Sequence, residues 1–358
     1  MSSEVERRLE ALFAEAPEPD PGAGEEALHR ALRTLHPAAP ARRGLRTAVL
    51  AFAAAVVLLV IAAGSLAAAG ALHVSFGVKT KPHATIRLVL PKGASGVAAI
   101  VDGRLSVVTN DGLGLQGRPV SAAALSPRAL YVAAGIGDSL VAMAPDGRRA
   151  WSHPAGGKVV AIAWAPDGFR IAYVVHVGHR FVLRVIYGNG IHDTTIDRSV
   201  RPVRPSWRAD SLAVAYVGGG GRAVVYDLGH LSRDIVGTSA PVTHLAFAPV
   251  GRRLLVATPD SAVLGGKTLA TGEVEALGWF HGRPAAAFPG VTHAIVRSFG
   301  AGGRHVDDFA VPGTVVGFSG GLVVVHTPTR VLAGWREKTV GTLLTLQRRS
   351  AVEDVAIG

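Results

Sequence analysis

Short apolar runs separated by tight polar turns dominate the chain from about residue 85 onward. In the clearest example, an apolar run from Val159 to Trp164 is followed by Pro166-Asp167-Gly168 and by a second apolar run from Phe169 to Val174. Proline presets the backbone φ angle of a turn, aspartate hydrogen-bonds the turn through its side chain, and glycine adopts a positive φ angle. The pattern predicts two strands joined by a tight turn.

This strand–turn–strand unit recurs along the chain. Its anchor, the large apolar residue before each turn, falls at residues 125, 164, 207, 247, 279 and 318, which are 39, 43, 40, 32 and 39 residues apart. Units of this length with three or four short strands are typical of β-propellers, whose small sheets bury their faces by packing around an axis. The residues to which we assign a structural role in the repeat are Trp164, Pro166, Asp167, Gly168, Trp207, Phe247, Pro249, Gly251, Trp279 and Phe318.

The two ends of the repeat region complement each other. Residues 351–357 resemble the first strand of another unit, and residues 96–109 supply strands that lack a partner in front of them. If the two ends pair in one shared blade, neither end has an unpaired strand edge. The shared blade is then either the sixth blade, completed, or a seventh blade. The predicted fold is all-β, a six-bladed β-propeller with seven blades as the alternative, preceded by a single transmembrane helix and a short helical cytosolic segment.

The turn unit from Trp164 to Tyr173 resembles the W-S-P-D-G-x-x-I-A-Y signature of TolB-like and WD40-like (PD40-type) propeller repeats, with Ala165 in place of serine. The other five units match the signature in part, and the turns at 208–211 and 281–284 depart from it most. The whole layout is similar to membrane-anchored propeller proteins of high-GC bacteria. The resemblance implies a fold without fixing an activity, because propellers host enzymes, scaffolds and receptors.

An uncharged stretch of 26 residues from Thr47 to Leu72 is the strongest signal near the N-terminus. As a helix it would span about 39 Å, more than the roughly 30 Å hydrocarbon core of a bilayer. Arg42, Arg43 and Arg46 precede it directly, which predicts a cytoplasmic N-terminus and an extracytoplasmic domain after the helix. A cleavable signal peptide is the rival interpretation, but the run is about twice as long as a typical signal core, so we favour an uncleaved anchor.

The first 44 residues contain two short amphipathic segments. Forty-odd residues are too few for an independent core, so their apolar stripes should lie on the membrane surface or on a partner. The predicted domains are a cytosolic helical segment over 1–44, a transmembrane helix over 45–73, a linker with a first strand over 74–92 and a β-propeller over 93–358. The candidate partner-binding residues of the first segment are Leu9, Leu12, Phe13, Leu28, Leu32 and Leu35.

Composition narrows the chemistry. The 358 residues include no cysteine, which excludes disulfides, thiolate chemistry and cysteine-based zinc sites. The net charge of +11 is uneven, because residues 1–44 carry six basic and eight acidic side chains whereas residues 79–358 carry 30 basic and 18 acidic ones. A basic domain favours anionic partners, although a high-GC coding bias toward arginine accounts for the same excess.

Several short motifs suggest chemistry that their context does not support. Gly317-Phe318-Ser319-Gly320-Gly321 fits the G-x-S-x-G motif of hydrolases, but a β run follows where that motif needs a helix. His176-Val177-Gly178-His179, His192-Asp193 and His305-Val306-Asp307-Asp308 offer metal ligands, but a metal site needs three or four converging donors. Gly218–Gly221 lacks the Lys-Ser/Thr pair of a phosphate loop and is interpreted as a hairpin turn. We predict no catalytic, cofactor-binding or metal-binding residue and no cofactor.

Three functions are compatible with these features. The favoured one is a non-enzymatic binding or scaffold module of the cell envelope, anchored in membrane lipid by residues 47–72 and binding a protein or anionic envelope component. The alternative is a transmembrane sensor or regulator, similar in layout to anti-sigma factors. A propeller hydrolase or lyase is less favoured, because the acidic residues of the repeats are sparse and lie mostly in turns. Nucleic acid is not an expected partner, since no stacking motif accompanies the arginines.

Overall fold

The described part of the chain consists of antiparallel strands. The computed structural model describes residues 87–88, 94–110, 112–113, 115, 117–319, 322–327, 330–335, 338–345 and 352–357. No helix in this part of the chain is long and apolar enough to cross a membrane. The amphipathic helices predicted within 1–44, including all six candidate partner-binding residues, and the membrane helix predicted over 47–72 lie outside the described residues.

The described strands form seven sheets, which we number as blades 1 to 7. Blade 1 contains β2 (Gly96–Val101), β3 (Arg104–Thr109), β4 (Gly112–Leu113), β5 (Arg118–Pro119) and β30 (Val352–Ile357). Blade 2 contains β6 (Ala123–Leu125), β7 (Val132–Ile136), β8 (Ser139–Met143) and β9 (Arg149–Pro154). Blade 3 contains β10 (Lys158–Trp164), β11 (Arg170–Val177), β12 (Arg180–Tyr187) and β13 (Thr194–Val200).

The remaining four blades follow the same order along the chain. Blade 4 contains β14 (Ser206–Trp207), β15 (Ala213–Val217), β16 (Ala223–Asp227) and β17 (Ser232–Val236). Blade 5 contains β18 (His244–Phe247), β19 (Leu254–Thr258), β20 (Ser261–Leu264) and β21 (Lys267–Thr271). Blade 6 contains β22 (Ala276–Phe280), β23 (Arg283–Phe288), β24 (His293–Phe299) and β25 (His305–Pro312). Blade 7 contains β26 (Thr314–Ser319), β27 (Leu322–Thr327), β28 (Arg330–Trp335), β29 (Lys338–Thr345) and, at its outer edge, β1 (Arg87–Leu88).

The two ends of the propeller region meet in blade 1, as the sequence predicts. Strand β30 pairs antiparallel with β2, with Val355 opposite Ala99 and Ile357 opposite Val97. It is the inner strand of blade 1, next to β26 of blade 7 and β6 of blade 2. The preferred count of six blades is therefore wrong for the described residues, which form the seven sheets of the alternative. The six anchors belong to blades 2 to 7.

The core lies between the blades. Each junction between neighbouring blades in the described part of the chain contains its own apolar cluster, such as the one formed by Leu140, Ile162, Ile171 and Ile186 between blades 2 and 3. Strands such as β15 and β19 are buried along their whole length, because both of their faces pack against a neighbouring blade. Burial on both faces explains why these strands are apolar without alternation.

The blades present two faces, which we name for later use. The turn face carries the turns between the first and second strands of blades 2 to 7, including 126–131, 165–169, 208–212 and 248–253. The connection face carries the turns between second and third strands and the connections from one blade to the next. Arg87 of β1 pairs with Thr345, the residue that ends β29 at the connection face. Strand β1 therefore begins at the connection face.

Candidate functional site

The repeated tryptophans end the inner strands and bond to the preceding blade. Each indole Nε1 donates a hydrogen bond to a backbone carbonyl of the preceding blade, one residue before the anchor of that preceding blade. The bonds are Trp164 to Ala124 (3.1 Å), Trp207 to Ala163 (3.0 Å) and Trp279 to Ala246 (3.1 Å). A buried carbonyl needs such a partner, since an unpaired one costs free energy. The structure thus places these three side chains in the joints between blades.

The turns after the anchors share one backbone conformation even where their sequences differ. The fourth residue after the anchor has a positive φ angle in blades 2 to 5, at Ala129 (52°), Gly168 (77°), Ser211 (60°) and Gly251 (81°). Asp167 Oδ1 accepts a hydrogen bond from the backbone of Phe169 (2.8 Å), and Asp210 Oδ1 accepts one from Leu212 (2.9 Å). The turn at 208–211, one of the two that depart most from the signature in sequence, therefore keeps the same geometry, since its aspartate caps it in the same way.

A concave feature that carries polar side chains lies along the inner strands of blades 4 to 7. It is a cavity of about 860 Å³ whose walls come from β14, β18, β22 and β26 and which reaches the turn face beside His281 and Gly282. Apolar residues such as Leu245 and Leu277 make up much of its wall. Its polar lining consists of Arg204, Ser206, Thr243, His244, His281 and Ser319. We call this feature the axial cavity.

Arg204 and His244 of the axial cavity are both hydrogen-bonded. Arg204 Nε donates to the carbonyl of Ile162 (3.1 Å) and its Nη2 donates to that of Ala123 (3.2 Å), so one guanidinium links blades 2, 3 and 4. His244 Nδ1 lies 3.1 Å from Thr243 Oγ1, and burial lowers the pKa of His244 below its usual value. At neutral pH the cavity therefore carries a fixed positive charge and a neutral imidazole.

A buried carboxylate outside the axial cavity joins blades 2 and 3. Asp193 accepts hydrogen bonds from Tyr173 Oη (2.9 Å) and Arg184, and His153 Nε2 lies 3.0 Å from its Oδ2. Burial, and then the Asp193 charge, raise the pKa of Tyr173, so its hydroxyl stays protonated as a donor. Sequence reasoning considered Asp193 only as a metal ligand. The structure uses it to pair with Arg184 and to bond Tyr173.

A similar arrangement joins blades 3 and 4. Tyr216 Oη donates to Asp197 Oδ2 (2.9 Å), and Arg233 Nη1 lies 3.3 Å from the same oxygen. Both tyrosines lie on the second strand of a blade, two residues after the partner of the anchor tryptophan. The tyrosine of the repeat signature is therefore bonded to an aspartate in the two blades where it occurs in the described residues.

The motifs that suggested chemistry are separated in the structure. Ser319 ends β26, and β27 begins at Leu322, so the G-x-S-x-G match lies on a strand–turn–strand unit. His176 stacks on Phe181 with ring centroids 4.7 Å apart, and His305 Nε2 lies 2.9 Å from Asp308. No group of three potential metal ligands occurs among the described residues. Gly218–Gly221 connects β15 to β16 as a hairpin turn.

No family model matches this chain, and no curated protein matches it in sequence. One similar solved structure is TolB from Acinetobacter baumannii, which is 11% identical with a TM-score of 0.46 over 74% of this chain and 66%, just under two thirds, of that one. Another is the β-propeller domain of Cps50 (Swd1) from Myceliophteria thermophila, which is 13% identical with a TM-score of 0.50 over 74% of this chain and 95% of that one. At such identities, similarity to Swd1 shows the fold alone. The described residues form a β-propeller similar to the Swd1 propeller domain.

Proposed function

We propose that this protein is a non-enzymatic binding or scaffold module whose propeller presents the axial cavity to an envelope component. The observation that carries the proposal is the lining of that cavity, in which Arg204, two histidines and three hydroxyl groups surround apolar walls. Positive and hydroxyl donors over an apolar wall suit the recognition of an anionic or polar group attached to an apolar body. The aspartates described above are engaged in ion pairs and turn caps, where they support the scaffold.

The cavity assignment is tested by photo-crosslinking in cells. A photoreactive phenylalanine replaces Leu277, which lines the axial cavity, and in a matched control it replaces Val291, which is fully exposed on the connection face. We expect a defined adduct from position 277 and none from position 291. Equal labelling from both positions, or turnover of ester or glycoside substrates by the purified chain, would contradict a binding role for the cavity.

We further propose that residues 47–72 anchor the protein as a single membrane helix, with residues 1–44 in the cytoplasm and the propeller outside. The uncharged run and the preceding Arg42, Arg43 and Arg46 support this orientation. Protease added to intact spheroplasts should digest the propeller and leave a short N-terminal fragment. Survival of the propeller under these conditions would reverse the orientation.

A role as a transmembrane sensor or regulator is the second candidate. It is favoured by the apolar stripes of residues 1–44, which suit a cytosolic partner. Affinity capture with full-length protein, compared with a Leu28→Asp/Leu32→Asp variant, should recover a cytosolic protein only with the parent. Recovery of the same proteins with the parent and with the variant would contradict the sensor role and favour the scaffold role.

A further inference from the structure

Large apolar side chains are exposed at corresponding places on the turn face. In blades 2, 3 and 4 the fifth residue after the anchor is Leu130, Phe169 or Leu212, whose exposed fractions are 61%, 73% and 44%. The same turn of blade 5 exposes 80% of Val250. Scattered exposed apolar residues are ordinary, but a set repeated over adjacent turns of one face marks an interaction surface. We call these four residues the apolar row.

The turns that carry the apolar row are packed against one another. The backbone N–H of Asp167 in blade 3 donates to Ser211 Oγ in blade 4 (3.0 Å), and Arg170 Nη1 donates to the carbonyl of Ser211 (3.0 Å). On the other side, a Cβ placed on Gly168 would lie 3.8 Å from Cδ of Pro127 in blade 2. The turns of blades 3 and 4 are therefore bonded to each other and the turn of blade 2 lies beside them, so this part of the row loses little conformational entropy when a partner binds.

Blade 3 provides a groove in the middle of the row. The groove has a volume of about 470 Å³, and its walls include Phe169, Tyr187 and Asn189. The backbone N–H of Gly188 donates to the carbonyl of Phe169 (2.8 Å), which fixes the two walls to each other. An aromatic-walled groove of this kind suits an apolar anchor side chain, the usual centre of binding energy in a protein interface.

The charged side chains of the turns around the row differ in how they are bonded. Asp167 caps its own turn and pairs with Arg170 at 3.8 Å, and Asp210 pairs with Arg208. By contrast, neither Arg128 in blade 2 nor Arg252 in blade 5 makes an ion pair or a hydrogen bond with a described residue, although the charge of Arg252 helps to lower the pKa of Asp210 in the neighbouring turn. A guanidinium with no hydrogen-bonded carboxylate among the described residues therefore lies in the turn at each end of the apolar row, where it favours a partner that carries carboxylates.

We propose that the apolar row, with Arg128 and Arg252, docks a protein segment in which large apolar side chains are flanked by carboxylates. The inference rests on the proposed binding role and names the chemistry of its partner. A second copy of this chain fits poorly, because two such faces would oppose arginine to arginine. A membrane surface also fits poorly, because the groove beside Phe169 suits a single anchor side chain better than a continuous lipid surface. A carboxylate-bearing peptide segment satisfies both the apolar row and its flanking charges.

The test is a selection of random dodecapeptides on the full-length chain in detergent, followed by measurement of peptide affinity. We expect enriched peptides in which acidic residues flank apolar ones, and we expect their binding to be weakened at least about tenfold by Phe169→Ser/Leu212→Ser and by Arg128→Glu/Arg252→Glu. The matched controls, Val177→Ser/Val291→Ser and Arg180→Glu/Arg198→Glu, lie away from the turn face and should stay within about twofold of the parent. Thermal melts establish that each variant is folded.

Four outcomes would overturn the proposal. Acidic peptides that bind all variants equally would show that they do not bind at the turn face, while leaving the binding role intact. Enrichment of peptides without carboxylates would show that the partner need not be acidic. A dimer in sedimentation, or binding to phosphatidylglycerol vesicles, that is lost in Phe169→Ser/Leu212→Ser would reassign the row to self-association or to a lipid surface. Failure to enrich any peptide, alongside a defined adduct from position 277, would leave the axial cavity as the binding site and refute the row.

Discussion

The indole N–H groups of the repeated tryptophans add hydrogen bonds between neighbouring blades. An indole at the end of an inner strand reaches the backbone of the preceding blade, as Trp207 does to the carbonyl of Ala163 at 3.0 Å. Trp207 itself is only 6% exposed, so the bond is shielded from water. Blades 5 and 7 have Phe247 and Phe318 at the same position, where the ring packs without a donor. The phenylalanines therefore contribute packing only, whereas each tryptophan contributes packing and a directional hydrogen bond.

Replacing Trp207 with phenylalanine isolates this bond. We expect Trp207→Phe to lower the free energy of unfolding by about 1–3 kcal/mol, because the Ala163 carbonyl loses its donor and the smaller ring leaves space. Urea denaturation measures the change. Tyr187→Phe, at an exposed aromatic, is the control and should stay within about 0.5 kcal/mol of the parent. Equal stability of Trp207→Phe and the parent would show that the bond contributes nothing.

Two partly buried histidines should make stability depend on pH. Burial lowers the pKa of His244 and of His326 below the usual value, so the folded protein holds both imidazoles neutral. The unfolded chain binds protons more readily below about pH 6.5, so the stability present above that pH is lost as the pH falls through the lowered pKa values. Unfolding curves at pH 7.5 and pH 5 should therefore differ more for the parent than for His244→Gln/His326→Gln. His179→Gln, at an exposed histidine, should keep the full difference.

Residues of the axial cavity could not be assembled from the sequence. Arg204, His244 and His281 lie on or beside the inner strands of successive blades, about one repeat apart in the chain. Nothing in their local sequence indicates that they line one cavity. The repeat predicted which positions turn and which are buried, because those depend on neighbours a few residues away. The convergence of side chains from different blades depends on how the blades are arranged around the axis, and it becomes visible only in the structure.

At the scale of elements, blade 1 explains why the anchors number six while the described sheets number seven. In blades 2 to 7 the first and second strands are consecutive, so a turn with an anchor joins them. In blade 1 the first strand is β30 and the second is β2, which come from opposite ends of the propeller region. No turn joins these two strands, and the motif that marks every other blade has no place to occur. The complementarity of the ends did predict the shared blade.

The pairing of β30 with β2 can be locked covalently, since the chain has no cysteine of its own. Ala99 and Val355 are directly opposite and belong to the same apolar cluster between blades 7 and 1. We expect the disulfide in Ala99→Cys/Val355→Cys to raise the free energy of unfolding by about 2–4 kcal/mol, and a reductant to abolish the gain.

A neighbouring pair of cysteines provides the control for this disulfide. Ala98 packs on the other face of β2, in the cluster between blades 1 and 2, so Ala98→Cys/Val355→Cys should stay reduced. Thiol titration and denaturation of the oxidised and reduced forms distinguish the two variants. A disulfide that forms as readily in the control would contradict the register.

At the scale of the molecule, the propeller is a closed ring of mutually dependent sheets. Each blade in the described part of the chain contributes to two apolar clusters, one with each neighbour. An open array of repeats has two free ends from which it can unravel, whereas a ring closed by β30 has none. Loss of one blade therefore exposes apolar surface on both neighbours, which couples unfolding around the ring.

Unfolding of the propeller should accordingly be a single cooperative transition. Calorimetry of the full-length chain should give one propeller peak whose calorimetric and van't Hoff enthalpies agree. Deleting residues 352–357 removes the inner strand of blade 1 and should broaden that peak or divide it. Two propeller transitions in the intact chain would contradict the coupling.

The closure by β30 also has a consequence for how the protein is made. Strand β2 leaves the ribosome early, but its inner edge has no partner until residues 352–357 have been synthesised after all the other blades. Throughout that interval an apolar strand with unpaired backbone groups is open to pairing with other chains. We therefore expect the chain to be most prone to aggregation before β30 has been made, and a chain truncated before this strand to keep an open edge.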